Sequence, residues 1–463
     1  MSTPPNAIAS IRDRLASTPT DSGRELAGRP GSVRFATLTD GTSLRGGTAQ
    51  LAGRSVLVAT HDQFHAALAL IELDGIARRL VVGTPDVSPD HLAAIASHAG
   101  VDAIVSDHAG AGDALDVPLR VVCTGKVAPA AETPSAHYNT EWVLLTSGTT
   151  GAPRMVAHDL ATLVAPIDGT LGRGAAIVWG TFYDIRRYGG LQILLRAILG
   201  GGSLVLSGAG EPVGEFLLRL AQRGVTHLSG TPSHWRRALM RPEARAIAPQ
   251  YVRLSGEIAD QGILNTLRAF YPNARVGHAF ASTEAGVGFE VDDGLEGFPA
   301  AIVGAPGDVE VAVVDGALRL RSSRNARRYL GDAATLASDD RFVDTGDMVE
   351  RRGDRYYFLG RRSGLINVGG LKVHPEEIEA AINRHPAVRM SMVRSRRSSI
   401  TGSLVAADVV LNTPRAAAEG TADVTREILQ LCRASLAPHK IPATIRFVPA
   451  LEIAAAGKLA RNA

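Results

Sequence analysis

Leu144-Leu145-Thr146-Ser147-Gly148-Thr149-Thr150-Gly151-Ala152-Pro153-Arg154 follows a short apolar run, 143–145, that reads as a buried strand. The segment joins two glycines to a run of hydroxyls. Glycines let backbone N–H groups approach a polyphosphate, and serine and threonine hydroxyls donate further hydrogen bonds to its oxygens. It lacks the Gly-Lys-Ser/Thr ending of a P-loop. Such a run is also ordinary material for a surface turn, so its surroundings must decide.

Upstream, apolar runs alternate with helical spacing. Residues 55–59 read as a strand, 63–77 as a helix and 79–82 as a strand, while Ser88-Pro89 has the form of a helix cap followed by proline at the first helical position. Another strand covers 101–106. Strands separated by helices of this length imply parallel crossovers and a wound α/β sheet. The rhythm returns downstream with strands at 175–179, 203–206 and 225–228 and helices at 215–222 and 261–270. After Gly304 the style changes: 309–314, Asp315-Gly316 and 317–321 form a hairpin with a favoured two-residue turn, and a second hairpin turns at Gly353-Asp354. Past Gly360, Pro375 opens a helix, 404–411 and 444–448 read as strands, and Val424, Ile428, Leu431 and Cys432 make a helical stripe. The expected fold is α/β: a large N-terminal wound α/β body with antiparallel elements, residues 1–360, and a small mobile α+β C-terminal domain, residues 361–463.

Composition narrows the function classes. The 463 residues suffice for two or three folding units, and 45% hydrophobic with 21% charged residues fits a globular chain with a large core. A net charge of +3, without long basic runs, argues against nucleic acid as the main partner. The only two cysteines, Cys123 and Cys432, have neither metal-ligand nor paired spacing, so a reducing compartment fits. Residues 1–10 lack a signal-peptide core, and the longest apolar stretch, 191–206, is interrupted by Arg196 and glycines, short of a membrane span. A cytoplasmic protein is expected. Only four of the 49 basic side chains are lysine: Lys126, Lys372, Lys440 and Lys458. A chain that fills surface cation positions with arginine keeps a lysine more often for lysine's own chemistry.

Six segments in one order give the phosphate-loop reading its context. The run from Thr146 through Ser147, Gly148, Thr149, Thr150 and Gly151 resembles the phosphate-binding loop of the adenylate-forming superfamily, which holds acyl- and aryl-CoA synthetases, peptide-synthetase adenylation domains and firefly luciferase. Leu254-Ser255-Gly256-Glu257 resembles its strand-end loop bordering adenine, and Phe280-Ala281-Ser282-Thr283-Glu284 its aromatic-Gly-x-Thr-Glu segment. Asp344-Thr345-Gly346-Asp347 is similar to the Thr-Gly-Asp motif. Gly360-Arg361, Gly369-Gly370 and Glu376-Glu377-Ile378-Glu379 resemble the hinge and early C-terminal segment, and Gly457-Lys458-Leu459-Ala460-Arg461 the terminal Gly-Lys-x-x-Arg.

The resemblance implies an enzyme that uses ATP and Mg²⁺ to convert a small carboxylic acid to an acyl-adenylate, then passes the acyl group to CoA. Attack of a carboxylate on the α-phosphate brings two anions together, which a divalent cation and a lysine relieve. Glu284, beside Thr283, is the expected Mg²⁺ ligand, Asp347 the acceptor of two ribose hydroxyls, and Arg361 a ribose or phosphate contact. Ser255, Gly256, Glu257 and Phe280 are expected around the nucleotide. Lys458 would match charge at the reacting atoms, and Gly369-Gly370 would line a pantetheine tunnel after the small domain rotates. Two alternatives stay open: loading of a phosphopantetheine carrier protein, or a nucleotide-binding pseudoenzyme.

Departures are local. Arg154 stands where lysine is common, Ala281 where glycine is usual and Ser363 where many members carry an acidic hinge residue. Tyr183, Asp184, Arg186, Arg187 and Tyr188 are unusually polar for a segment expected near the acyl group. They would select a polar acid, contact a carrier, or form a solvent-facing loop. The stretch 227–235 is expected to supply pocket wall, with His227 and His234 as packing residues rather than catalysts.

Overall fold

In a computed structural model, strand Glu141–Leu145 delivers Thr146 at the carboxyl end of an eight-stranded sheet. The structure describes residues 10–17, 23–108, 110, 115–131, 138–146, 153–167, 177–331, 336–368, 370–398, 402–412, 421–454 and 457–460. The first sheet runs Arg328–Leu330, Met155–His158, Glu141–Leu145, Arg79–Val82, Ser55–Val58, Ala103–Ser106, Leu119–Pro129, Gly41–Leu44, with its five central strands parallel. The second runs Gly286–Val291, Arg275–Ser282, Tyr251–Ser255, His227–Gly230, Val178–Thr181, Ser203–Leu206, Glu25–Ala27, Ser32–Arg34; only its edge pairings are antiparallel.

Two helices lie buried between these sheets. Helix Gln63–Leu73 is buried at every position but His65, and helix Tyr188–Leu199 at ten positions. A helix apolar on nearly all sides has to be covered on all sides, and one cluster joins Val56, Leu80 and Leu144 of the first sheet to Trp179, Leu204 and Tyr251 of the second. Burial of such side chains stabilises by roughly 1.5–3 kcal/mol each. The sequence showed 191–206 only as an apolar stretch; its first part is this central helix.

The hairpins follow the turn chemistry. Asp315 and Gly316 both have positive φ, 51° and 75°, as a two-residue hairpin turn requires, between Val309–Val314 and Ala317–Ser322. Val343–Arg352 and Arg355–Arg361 pair across Gly353-Asp354, completing a five-stranded sheet. Beyond it, Ile366, Val373, Ile378, Ile382, Val405, Val409, Val424, Ile428 and Cys432 form a core of their own under helices Pro375–Ile382 and Thr421–Ser435 and a three-stranded sheet. No helix among the described residues is long and apolar enough to cross a membrane.

Candidate active site

In an open parallel sheet, ligands are met at the carboxyl ends of the strands, because helix amino termini and connecting loops converge there. Thr181, Gly230, Ser255 and Ser282 end four neighbouring strands of the second sheet, and the loops after them carry Tyr183 to Arg187, Thr231 to His234, Gly256-Glu257 and Thr283-Glu284. Leu145 of the first sheet delivers Thr146, whose N–H donates to the Arg154 carbonyl at 3.0 Å, closing the base of the hydroxyl-rich loop. Ser147, Gly148, Thr149, Thr150 and Gly151 lie outside the described residues, as do Gly369 and Arg461.

The two sheets are tied at the site by His158, whose Nε2 lies 2.7 Å from the Thr283 carbonyl oxygen. Burial holds this imidazole down to about 4, so it is neutral at pH 7 and serves as a fixed strut. Glu284 is half-buried in the turn between Arg275–Ser282 and Gly286–Val291. Its carboxylate takes no hydrogen bond or ion pair among the described residues, which leaves its lone pairs free for a cation. No described group of three metal-ligating side chains surrounds it. That donor set fits Mg²⁺, which is commonly held by one or two carboxylates together with substrate phosphates.

Asp347 and Arg361 face each other as a register pair of the antiparallel hairpin, with Nε 3.4 Å from Oδ1. Burial raises the Asp347 carboxyl above its ordinary value, while Arg361 and Lys458 pull it back. Gly346, at φ 72°, makes the turn that brings Asp347 inward, and the Asp347 N–H donates to Thr345 Oγ1 at 3.2 Å. Phe280 packs between Phe289 and Phe358, with centroids at 5.7 and 5.4 Å.

Lys458 reaches the same place from the end of the chain. A Cβ built on Gly256 would lie 3.7 Å from Lys458 Cε. Desolvation lowers the Lys458 pKa first and Arg361 next, against Glu257 and Asp347. The side chain as a whole is exposed to solvent. The structure thus gathers Lys458, Asp347, Arg361, Gly256 and Glu257. Gly370, at the exposed tip of the ribbon Ile366–Val368/Leu371–Val373, has nothing within 4 Å of where its Cβ would stand and is not part of that group.

The polar 183–188 segment is no solvent-facing loop. Tyr183 is buried and donates to the Ser255 carbonyl at 2.8 Å; Arg186 is buried against Asp184 at 2.6 Å and donates to the Thr60 carbonyl. Tyr188 is buried as well. Asp184 and Arg187 keep a foothold at the surface, with 20% and 15% of their side chains exposed, and Arg187 is bridged to Asp86 at 2.5 Å.

Sequence reading missed the receptacle for the chain end. Thr231 Oγ1 donates to the Gly457 carbonyl at 2.6 Å, and the Leu459 N–H donates to Glu257 Oε1 at 3.0 Å. Thr231-Pro232 was readable as a helix cap with proline at the first helical position; nothing in the spacing tells that the cap has a partner 226 residues away.

The family model for AMP-binding enzymes matches residues 55–325, and that for the AMP-binding enzyme C-terminal domain matches residues 377–458. A mitochondrial acyl-coenzyme A synthetase of Mus musculus is 34% identical over 137 residues, 29% of this chain and 24% of the relative. The human mitochondrial acyl-coenzyme A synthetase ACSM4 is 28% identical over 361 residues, 69% of this chain. The chain spans 60% of that relative's length. Among solved structures, o-succinylbenzoate CoA synthetase from Bacillus subtilis, in complex with its acyl-adenylate intermediate, superposes with a TM-score of 0.74 at 19% identity, covering 97% of this chain and 96% of that one. That likeness establishes the fold.

Proposed function

The chain belongs to the AMP-binding enzyme family, and from that premise we propose that it activates a small carboxylic acid with ATP to an acyl-adenylate and transfers the acyl group to the thiol of CoA. The observation that carries this reading is the convergence of Lys458, Asp347 and Arg361 over Gly256 at the strand ends. The names of the relatives, acyl-coenzyme A synthetases and a CoA synthetase captured with an acyl-adenylate, support it.

In the proposed reaction a carboxylate oxygen attacks the α-phosphorus and the bond to pyrophosphate breaks. Lys458, charged and partly desolvated, stabilises the negative charge that gathers as the two anions meet. Asp347 accepts from the ribose hydroxyls, and Arg361, facing that carboxylate, favours its charged form against the raising effect of burial. Thr146 and the hydroxyl run after it hold the phosphates. Mg²⁺, held by Glu284, would neutralise the phosphate oxygens.

The test is carboxylate-dependent exchange of labelled pyrophosphate into ATP across aliphatic, aromatic and hydroxylated acids, because it reports adenylation before any thiol is chosen. No exchange with any acid would sink the reading in favour of a nucleotide-binding protein without this activity. Thioester formation with CoA, compared with a phosphopantetheine carrier protein, then identifies the acceptor. Within that assay Asp347→Asn is expected to raise the KM for ATP by about tenfold to a hundredfold, the effect of losing a charge-assisted hydrogen-bond acceptor, while the KM for the acid stays near wild type. A change confined to the acid's KM would remove Asp347 from the ribose site.

A further inference from the structure

We infer that Glu257 and Thr231 are positioning residues for Lys458, forming a built receptacle that docks the chain end onto the amino terminus of helix Pro232–Ala238. The inference rests on the proposed adenylation reading and adds residues to it.

The receptacle has three parts. Glu257 accepts from the Ser233 N–H at 2.9 Å and the Ser233 hydroxyl at 3.0 Å, both at the start of that helix. The same carboxylate accepts from the Leu459 N–H at 3.0 Å. One side chain therefore fixes the residue after Lys458 to a helix end, where the orphan N–H groups favour negative charge. Thr231 supplies the second part. Its hydroxyl oxygen accepts from the His234 N–H at 3.0 Å as the helix cap, which commits its proton to the remaining partner, the Gly457 carbonyl at 2.6 Å. The third part is the close approach of Gly457 to the His234 ring, where a Cβ would collide.

Residues 457 and 459 are thus gripped on either side of Lys458, and the lysine stem is left to point past Gly256. Long side chains on a loose tail would visit many positions; fixing the flanking peptide groups removes most of that freedom before substrate arrives. The bonds cross from the small unit to the large one, so they exist only while the small unit is seated for adenylation. They cannot serve a step for which the chain end has swung away.

The experiment uses the full chain, wild type against Glu257→Ala, Glu257→Gln, Thr231→Val and Thr231→Ser, each with its thermal midpoint measured. Hydrogen exchange at the Leu459 amide, read without ligand, is expected to quicken about tenfold or more in Glu257→Ala. Thr231→Val is expected to loosen the 457–460 segment, and Thr231→Ser, which keeps the hydroxyl, to protect it as wild type does. In parallel, carboxylate-dependent pyrophosphate exchange is expected to fall about tenfold to a hundredfold in Glu257→Ala and Thr231→Val, with Glu257→Gln intermediate. Thioester formation from supplied acyl-adenylate stays within about twofold in Thr231→Val, which leaves the Glu257 carboxylate in place. Unchanged amide exchange in Glu257→Ala, or an equal fall of both half-reactions in Thr231→Val, overturns the positioning role. If wild type exchanges pyrophosphate with no acid while the Leu459 amide responds as stated, the receptacle stands and the adenylation reading falls.

Discussion

Lys458→Ala is expected to lower acyl-adenylate formation by about a hundredfold to a thousandfold while leaving thioester formation from supplied adenylate near wild type. The magnitude is that of removing one preorganised donor aimed at developing charge. Lys458→Arg is expected to recover little: a planar fork is wider than an ammonium and cannot contact two oxygens from one point. This chain accepts arginine at 45 of its 49 basic positions, so a failure of arginine here would isolate the chemistry rather than the charge. The pH dependence has a definite sign. Desolvation and Arg361 lower the Lys458 pKa below the usual lysine value, so the charged form is lost as pH rises through that lowered value. Adenylation in wild type should therefore decline on the alkaline side earlier than an ordinary lysine would dictate. Glu257→Gln, which deletes a carboxylate that raises the Lys458 pKa, should move that decline to lower pH still. Equal loss of both half-reactions in Lys458→Ala would sink the assignment.

The fold was legible where local chemistry and burial agree. Strands at 79–82 and 203–206, helix Gln261–Phe270 and both hairpin turns match the sequence reading residue for residue, because each is bounded by a cap, a glycine or a two-residue turn. Ser88-Pro89 caps its helix as expected, with Ser88 accepting from the His91 N–H. Helix Tyr188–Leu199 escaped because burial on nearly every face erases the 3.6-residue stripe that periodicity needs. The polar segment before it misled for the opposite reason. Arg186 is buried because Asp184 and the Thr60 carbonyl satisfy it, and sequence carries no sign of a partner more than a hundred residues away. Of the candidate site, short motifs singled out Asp347, Arg361 and Lys458, which the structure brings together. Thr231 and Glu257 as holders of the chain end were not, since their bonds to Gly457 and Leu459 span more than two hundred residues.

Gly457→Ala is expected to reduce adenylation by about tenfold to a hundredfold and to spare thioester formation. Two separate costs meet at this residue. Gly457 has φ 74°, a left-handed conformation that costs a residue with a Cβ about 1–2 kcal/mol. The added Cβ would also overlap the His234 ring, which cannot yield freely: it stacks on Phe182 at 5.8 Å and makes a T-shaped contact with Tyr183 at 5.9 Å. Burial pushes the His234 imidazole down to about 4, so at pH 7 the ring is neutral and the conflict is steric, not electrostatic. The two costs separate in a double-mutant cycle. His234→Ala opens space beside residue 457 but does nothing for φ, so Gly457→Ala combined with His234→Ala should regain part of the adenylation lost by Gly457→Ala alone. Strict additivity of the two substitutions would mean that the ring does not set the path of the chain end. Full recovery would mean that the backbone conformation costs nothing there. Partial recovery, with thioester formation intact throughout, is the outcome required of a glycine packed against a neutral imidazole one residue before the proposed catalytic Lys458.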